Sequence, residues 1–118
     1  MPEVYKDISK LAECAAVKDR MRYLMGHQHC NKVVEPGVGF MVGGAGMSGC
    51  GQFGVTVLDS SPAAGAAASA TPLSVYHFRI NSDDGPDYYN QTAECFRQKG
   101  VSGCYDLDNV DVWQLAGL

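Results

Sequence analysis

The sequence places one cysteine, Cys50, between Gly49 and Gly51, inside a segment of residues 43–54 that holds six glycines. Glycines let a substrate approach the backbone closely and leave N–H groups available to bind an oxyanion. A cysteine nucleophile also needs a base, and His77 is the histidine that follows Cys50 in the chain. These residue types predict nucleophilic catalysis, with Cys50 as the nucleophile and His77 as its base.

The same glycine-rich segment contains the pattern Gly-x-Gly-x-x-Gly at residues 44–49, which occurs in nucleotide-binding turns. Such a turn must open a helix, and an acidic residue must follow about twenty residues later. Here a strand-like segment follows, and Asp59 comes ten residues after Gly49, which leaves no room for the helix. No Gly-Lys-Ser or Gly-Lys-Thr follows either, so the sequence disfavours phosphate binding.

Two other places carry reactive side chains. His27, His29 and Cys30 bring three metal-type ligands within four residues. No Cys-x-x-Cys or His-x-x-x-His accompanies them, so a polar loop is favoured over a metal site. Cys104 follows a second Ser-Gly pair, but no histidine comes after it. The alternative for Cys50 itself is an inert packed thiol, because cysteine is among the most buried residue types.

Apolar spacing predicts the elements that must position these residues. Helical periodicity indicates helices, and alternation of apolar with polar residues indicates strands. Gly26 and Gly100 are placed to end helices, and Pro36-Gly37 marks a turn. The predicted elements are helices over 4–25 and 88–99, a hairpin or bent strand over 33–42, and strands over 52–58, 73–80 and 110–115.

These elements predict an α+β fold, with a small, mainly antiparallel sheet or sandwich flanked by two helices. A chain of 118 residues without a long linker is expected to form a single domain, residues 1–118. Residues 59–72 are almost all small, and their composition predicts a flexible surface loop between two strands.

The pairing of two predicted strands decides whether Cys50 can reach His77. In an antiparallel pair, the start of one strand lies beside the end of the other. If strands 52–58 and 73–80 pair in this way, Cys50 lies near residues 78–81 and within reach of His77.

Composition and charge disfavour several kinds of partner. The formal net charge is −4, and the basic residues form no cluster beyond Lys18–Arg22, so nucleic acid is not expected as a partner. No apolar run is long enough for a membrane span, so no membrane partner is expected. The charged N-terminal segment also lacks the apolar run of a signal peptide.

Cysteine usage gives an expectation for the compartment. The chain has five cysteines, an odd number, and their spacing is not that of a disulfide framework: they lie at positions 14, 30, 50, 95 and 104. Reduced thiols in the cytoplasm are therefore expected. Export by a route that needs no signal peptide is the alternative.

The residues around the predicted pair resemble a known catalytic pattern. Met47-Ser48-Gly49-Cys50, with His77 in a following Val-Tyr-His-Phe strand, is similar to the motif of the cytotoxic necrotizing factor family. Those bacterial toxin domains deamidate glutamine, and their motif reads Leu-Ser-Gly-Cys with a downstream strand histidine. The chemotaxis deamidase CheD shares the fold and the cysteine–histidine pair. The similarity covers about 35 of the 118 residues, 47–81.

Three positions depart from the family pattern. Met47 stands in place of the usual leucine, and His77 follows Cys50 by 27 positions, a longer spacing than is usual in the group. Gly44 stands where CheD-like proteins have a threonine, six residues before the cysteine. The third catalytic group is therefore not identified by the resemblance.

The resemblance implies a cysteine hydrolase that acts on a carboxamide, namely the side chain of an exposed glutamine in a protein substrate. Cys50 would attack the amide carbon, and His77 would give a proton to the departing ammonia. Backbone N–H groups near Gly49 and Gly51 would hold the oxyanion. This chemistry needs no cofactor.

Two alternatives stay open. In the first, the chain is a non-enzymatic binding or accessory domain, the glycine-rich loop is a close-packed turn, and His77 is a strand histidine. In the second, a papain-like arrangement pairs Cys50 with His27 or His29. A close approach of the Cys50 sulfur to His77 would favour the enzyme, and burial of His77 would favour the accessory domain.

Overall fold

The structure, a computed structural model, describes residues 3–26, 30–43, 53–61, 72–81 and 87–116. These residues form three α-helices and six strands, and the strands make two mainly antiparallel three-stranded sheets. The predicted α+β class is confirmed. None of the helices among these residues is long and apolar enough to cross a membrane.

The helices are α1 (Glu3–Ser9), α2 (Ala12–Ala15) and α3 (Tyr89–Lys99), with 3₁₀ turns at Lys18–Arg20 and Val101–Cys104. The strands are β1 (Tyr23–Met25), β2 (Lys32–Glu35), β3 (Gly39–Met41), β4 (Phe53–Asp59), β5 (Leu73–Asn81) and β6 (Val110–Leu115). One sheet has the order β1-β3-β2 and the other has the order β4-β5-β6.

The prediction of one helix over residues 4–25 is wrong, because the segment ends in a strand. β1 pairs in parallel with β3, and this register sets Tyr23 opposite Gly39. A Cβ atom at Gly39 would collide with the Tyr23 ring, so the ring occupies the space that the glycine leaves. The Tyr23 hydroxyl donates a hydrogen bond to Glu35 of β2 at 2.8 Å. Tertiary pairing therefore overrides the helical spacing of the segment.

The apolar residues that predicted this helix do not form its buried face. Val4, Ile8 and Leu11 are exposed, whereas Tyr5 of α1 is buried. The Tyr5 ring lies 5.0 Å from the Tyr23 ring, and its hydroxyl donates to the Met21 carbonyl at 3.0 Å. α1 is therefore held to the sheet by one aromatic residue.

The other predicted elements are confirmed, with shifts of one or two residues at their ends. The hairpin over 33–42 is β2 and β3, and Gly37 takes a positive φ of 76° in the turn between them. β4 and β5 pair antiparallel, which places Phe53 beside Asn81. Most of the predicted loop over 59–72, residues 62–71, lies outside the described residues.

The core joins the two sheets. Phe40 of β3, Val75 of β5 and Leu115 of β6 are completely buried and pack together. The Trp113 ring of β6 meets the Phe40 ring edge-on, with 5.2 Å between centroids. β5 is the central strand of its sheet, so it is hydrogen-bonded to a neighbouring strand along both edges.

α3 covers the opposite face of β5. Phe78 of β5 packs edge-on against Phe96 of α3, with 5.0 Å between centroids. Neighbouring residues of a strand point to opposite faces, so Phe78 points toward α3 while His77 points toward the other sheet. Gly100 ends α3 with a positive φ of 73°, in agreement with its predicted role.

Asn109 connects α3 with the antiparallel pair β5–β6. Its side chain is completely buried, and its amide nitrogen donates to the Arg79 carbonyl and to the Thr92 hydroxyl, each at 2.9 Å. Its amide oxygen accepts a hydrogen bond from Gln91 at 3.0 Å. A buried amide whose groups are all paired fixes the position of the elements that it joins.

The cysteines depart from the expectation of reduced thiols. Cys95 of α3 forms a disulfide with Cys104 of the following 3₁₀ turn. Cys30 is disulfide-bonded as well, whereas Cys14 is a free thiol. The expectation is therefore wrong for Cys30, Cys95 and Cys104. The reason is that no spacing rule reveals which thiols the fold brings together.

Candidate functional site

The structure places the predicted base, His77, in the middle of the central strand β5. The antiparallel register sets it opposite Thr56 of β4 and opposite Asp111 of β6. Directly opposed residues point to the same face, and here the Thr56 Oγ1 atom lies 2.9 Å from the His77 Nδ1 atom. The His77 side chain has no solvent-exposed surface.

A short chain of buried polar groups continues from His77 to the other sheet. The Thr56 hydroxyl lies 3.5 Å from the Oδ1 atom of Asn31, which precedes β2. The same Oδ1 atom accepts a hydrogen bond from the Gly43 N–H at 2.9 Å. The group His77, Thr56 and Asn31 therefore connects the two sheets through polar contacts.

The sequence prediction missed Thr56 and Asn31. A signal for Thr56 was present, because it is a polar residue between Val55 and Val57 in a predicted strand. Counting back along two antiparallel strands would have set it near His77. Asn31 had no comparable signal, since its contact depends on how the two sheets pack.

Two charged residues lie at the rim of this polar group. Arg79 of β5 and Asp111 of β6 form an ion pair with 3.2 Å between Nε and Oδ2, and their side chains are about one third exposed. The Arg79 guanidinium also donates to the Asp108 carbonyl at 3.0 Å. Asp111 lies opposite His77 in the sheet, but its carboxylate forms its ion pair with Arg79.

The remaining predicted site residues lie outside the described residues. They are the nucleophile Cys50, the oxyanion residues Gly49 and Gly51, and the histidines His27 and His29. The predicted pairing of the two strands that flank this site is confirmed, because β4 begins beside the end of β5. The distance between Cys50 and His77 stays a prediction.

The state of Cys30 bears on the possibility of a metal site at His27, His29 and Cys30. A disulfide-bonded sulfur is not a thiolate ligand, so Cys30 in this state cannot hold a metal together with the neighbouring histidines.

A second candidate site is a cavity of about 340 Å³ between α3 and the edge of the β4–β5 pair. Its walls carry three aromatic rings and three aliphatic side chains: Phe53, Val55, Ile80, Tyr89, Ala93 and Phe96. The α3 residues among them follow helical spacing, which is the apolar face of the predicted helix. Helical spacing in the sequence predicts that helix, but no local pattern predicts the space that the sheet leaves beneath it.

Gly54 shapes the strand side of this cavity. The β4–β5 register shifts between Phe53 and Gly54, as in a bulge. A Cβ atom at Gly54 would collide with the Phe78 carbonyl, so only glycine allows β4 to approach β5 this closely. The bulge therefore sets the positions of the Phe53 and Val55 side chains in the cavity wall.

An aromatic pair lies on the same face of the sheet as α3. The rings of Tyr76 and Tyr105 stack with 3.5 Å between centroids, and the Tyr105 hydroxyl donates to Asp59 at 2.8 Å. Burial, followed by this hydrogen bond, raises the pKa of Tyr105 to about 12. Hydrogen bonds from Ser61 and from Tyr105 lower the pKa of Asp59.

Comparison with models of protein families, with curated proteins and with solved structures finds no match for this chain. The resemblance to the glutamine deamidases therefore stays a prediction based on the motif around Cys50 and on His77.

Proposed function

We propose that this chain is a non-enzymatic binding domain, stabilised by two disulfides, in which His77 has a structural role. The complete burial of the His77 side chain carries the proposal. The disulfide of Cys30 adds the expectation, tested below, that Cys50 is oxidised as well. A cysteine nucleophile reacts as the thiolate, which a disulfide does not provide.

The surroundings of His77 support the same conclusion. Its side chain is completely buried, and its Nδ1 atom meets the Thr56 hydroxyl. A general base must lie within hydrogen-bond reach of the proton that it removes from the reacting group. A histidine in the central strand, packed between two sheets, suits a structural role better than contact with a protein substrate.

The disulfides also support a compartment other than the expected cytoplasm. Reducing systems in the cytosol keep most thiols reduced, and structural disulfides persist in secreted and other oxidising locations. The proposed domain therefore works in an oxidising compartment, where Cys95–Cys104 ties the end of α3 to the turn that follows it. A small domain gains most from such cross-links, because its core is limited.

One observation favours the deamidase as a second candidate. In cysteine hydrolases the base is oriented by a third group, and the Thr56 hydroxyl is in the position to orient His77 through Nδ1. This candidate requires that the disulfide of Cys30 be reduced and that Cys50 lie beside His77. We rank it second because both conditions are additional to the described geometry.

The two candidates differ in the reactivity of Cys50 in the folded protein. The protein is prepared without reductant and treated briefly with iodoacetamide at mildly acidic pH, and the alkylated cysteines are identified by peptide mass mapping. The binding domain predicts no alkylation of Cys50 in the wild type or in His77→Ala. Cys14→Ser is the matched control, because it removes the free thiol and leaves the predicted pair intact.

Rapid alkylation of Cys50 that slows in His77→Ala would reject the binding domain and support the deamidase. Release of ammonia from glutamine-containing proteins by the wild type, and its loss in Cys50→Ala, would then establish the reaction.

A further inference from the structure

We propose that the cavity between α3 and β4–β5 binds a small, uncharged, apolar molecule that contains an aromatic ring or a branched aliphatic group. The inference rests on the proposed binding function and names the class of ligand. It is carried by the size of the cavity, the chemistry of its walls and the way in which those walls are held.

The size of the cavity fits a small molecule. At about 340 Å³ it falls at the lower end of the range for ligand sites in proteins, which is roughly 300 to 1,000 Å³. An apolar cavity of about 150 Å³ accommodates benzene. The cavity therefore has room for a molecule of about two to three fused or linked rings.

The walls set the charge of the ligand. The rings of Phe53, Tyr89 and Phe96 offer flat apolar surfaces, and the lining residues within the described part of the chain include no carboxylate, amine or guanidinium. Glu94 and Arg97 of α3, which are not among the lining residues, pair with each other at 2.7 Å. A charged ligand would lose hydration without gaining a partner, whereas an uncharged aromatic ligand would stack on the rings.

Both walls are held in place without the ligand. On the helix side, Thr92 is buried and bonded to Asn109, and Cys95 is tied to Cys104. On the strand side, Gly54 packs against the Phe78 carbonyl. A preformed cavity binds more tightly than one that must be ordered by its ligand, because less entropy is lost on binding.

Two side chains that line the cavity are partly exposed to water, and a bound ligand would shield them. Phe53 is 43% exposed and Val55 is 48% exposed, although both line the cavity. A ligand in the cavity removes this apolar surface from water, which is favourable. A second copy of the chain could also cover these residues, and the experiment separates the two occupants.

The probe is N-phenyl-1-naphthylamine, an uncharged molecule in which a phenyl ring is linked to a naphthalene. Its fluorescence rises in apolar surroundings. We expect saturable binding by the wild type. Ala93→Trp fills the cavity with an indole ring, and Val55→Lys puts a charge at its edge, so each should weaken binding at least tenfold. Val112→Lys is the matched control, because Val112 is 51% exposed on β6 and is not among the cavity residues.

Circular dichroism shows whether each variant keeps its fold, and sedimentation at the same concentrations gives its oligomeric state. Absence of saturable binding by the wild type would overturn the inference. The inference would also be overturned if Ala93→Trp and Val55→Lys keep their fold and bind the probe as tightly as the wild type. Wild-type self-association that these two variants abolish would assign the cavity to a second copy. The reactivity of Cys50 is measured separately, so failure here leaves the proposed binding function testable.

Discussion

The His77 Nδ1 atom and the Thr56 hydroxyl lie 2.9 Å apart across the β4–β5 pair, and the His77 side chain is shielded completely from solvent. The contact connects the central strand of one sheet with Asn31, which precedes β2 of the other sheet. A buried polar group of this kind is stabilising only while its members are paired. His77 is therefore expected to matter for stability, whether or not it has any role in chemistry.

Thr56→Val should lower the free energy of unfolding by about 1 to 3 kcal/mol, because the change keeps the shape of the side chain and removes the hydroxyl that meets His77. Thr56→Ser keeps the hydroxyl and should cost less. Urea unfolding of both variants and of the wild type checks this. Equal stability of Thr56→Val and the wild type would show that the hydrogen bond does not stabilise the fold.

Asn109→Ala should also destabilise the protein, by about 2 to 4 kcal/mol, because it removes a buried amide that pairs with α3 and with β5. Its neighbour Asp108 is the matched control: its carboxylate accepts from Gln91 at the surface, so Asp108→Ala should change stability by less than about 0.5 kcal/mol. Thermal unfolding followed by circular dichroism measures both. Similar losses in the two variants would contradict the role given to Asn109.

Gly54→Ala should destabilise the fold by about 1 to 3 kcal/mol, since the added methyl group would force β4 away from the Phe78 carbonyl. It should also weaken binding of the aromatic probe, because the cavity wall moves with β4. Gly26→Ala is the control, because its Cβ atom would meet the Val42 carbonyl at an ordinary 3.8 Å. A Gly54→Ala variant as stable as Gly26→Ala would show that the bulge tolerates a side chain.

Two tyrosines should ionise late in an alkaline titration. Burial raises the pKa of Tyr23 to about 12, helped by its hydrogen bond to Glu35, and the pKa of Tyr105 is likewise about 12. The folded state therefore holds these protons more tightly than the unfolded state, in which the pKa is about 10. Their contribution to stability is fully present below pH 10 and is lost as the pH rises toward 12.

Ultraviolet absorbance of the folded protein follows this titration. Tyr23→Phe and Tyr105→Phe should each remove one late-ionising group, whereas Tyr89→Phe, which changes a tyrosine on α3, should leave both in place. The prediction fails if Tyr23 and Tyr105 ionise near pH 10, the pKa of an unperturbed tyrosine.

The sequence predicts those parts of the fold that depend on local pattern. Alternation identified β5 and β6, and helical spacing with Gly100 identified α3. The prediction of one N-terminal helix is wrong because the conformation of Tyr23 depends on Gly39. That residue lies sixteen positions away and shares no local pattern with Tyr23. A helical period in one segment cannot reveal that another strand will pair with it.

The two candidate sites likewise combine features that a local sequence pattern predicts with features that depend on tertiary packing. Antiparallel pairing of β4 with β5 was predictable, so the neighbourhood of His77 was predictable in outline. The cavity depends on a bulge at Gly54 and on the packing of α3, and the Cys95–Cys104 disulfide depends on the chain turning back after α3. These features arise from tertiary structure, and no spacing rule encodes them.

The state of Cys50 decides between the two candidate functions, and digestion with trypsin makes that state directly measurable. Cleavage after arginine and lysine separates the four cysteines concerned, because they fall in the fragments 23–32, 33–79, 80–97 and 100–118. The protein is prepared without reductant, free thiols are blocked with N-ethylmaleimide, and the unreduced digest is analysed by mass spectrometry. The account predicts that fragment 23–32 is linked to fragment 33–79, and that fragment 80–97 is linked to fragment 100–118. Recovery of fragment 33–79 alone, with Cys50 blocked as a free thiol, would contradict it.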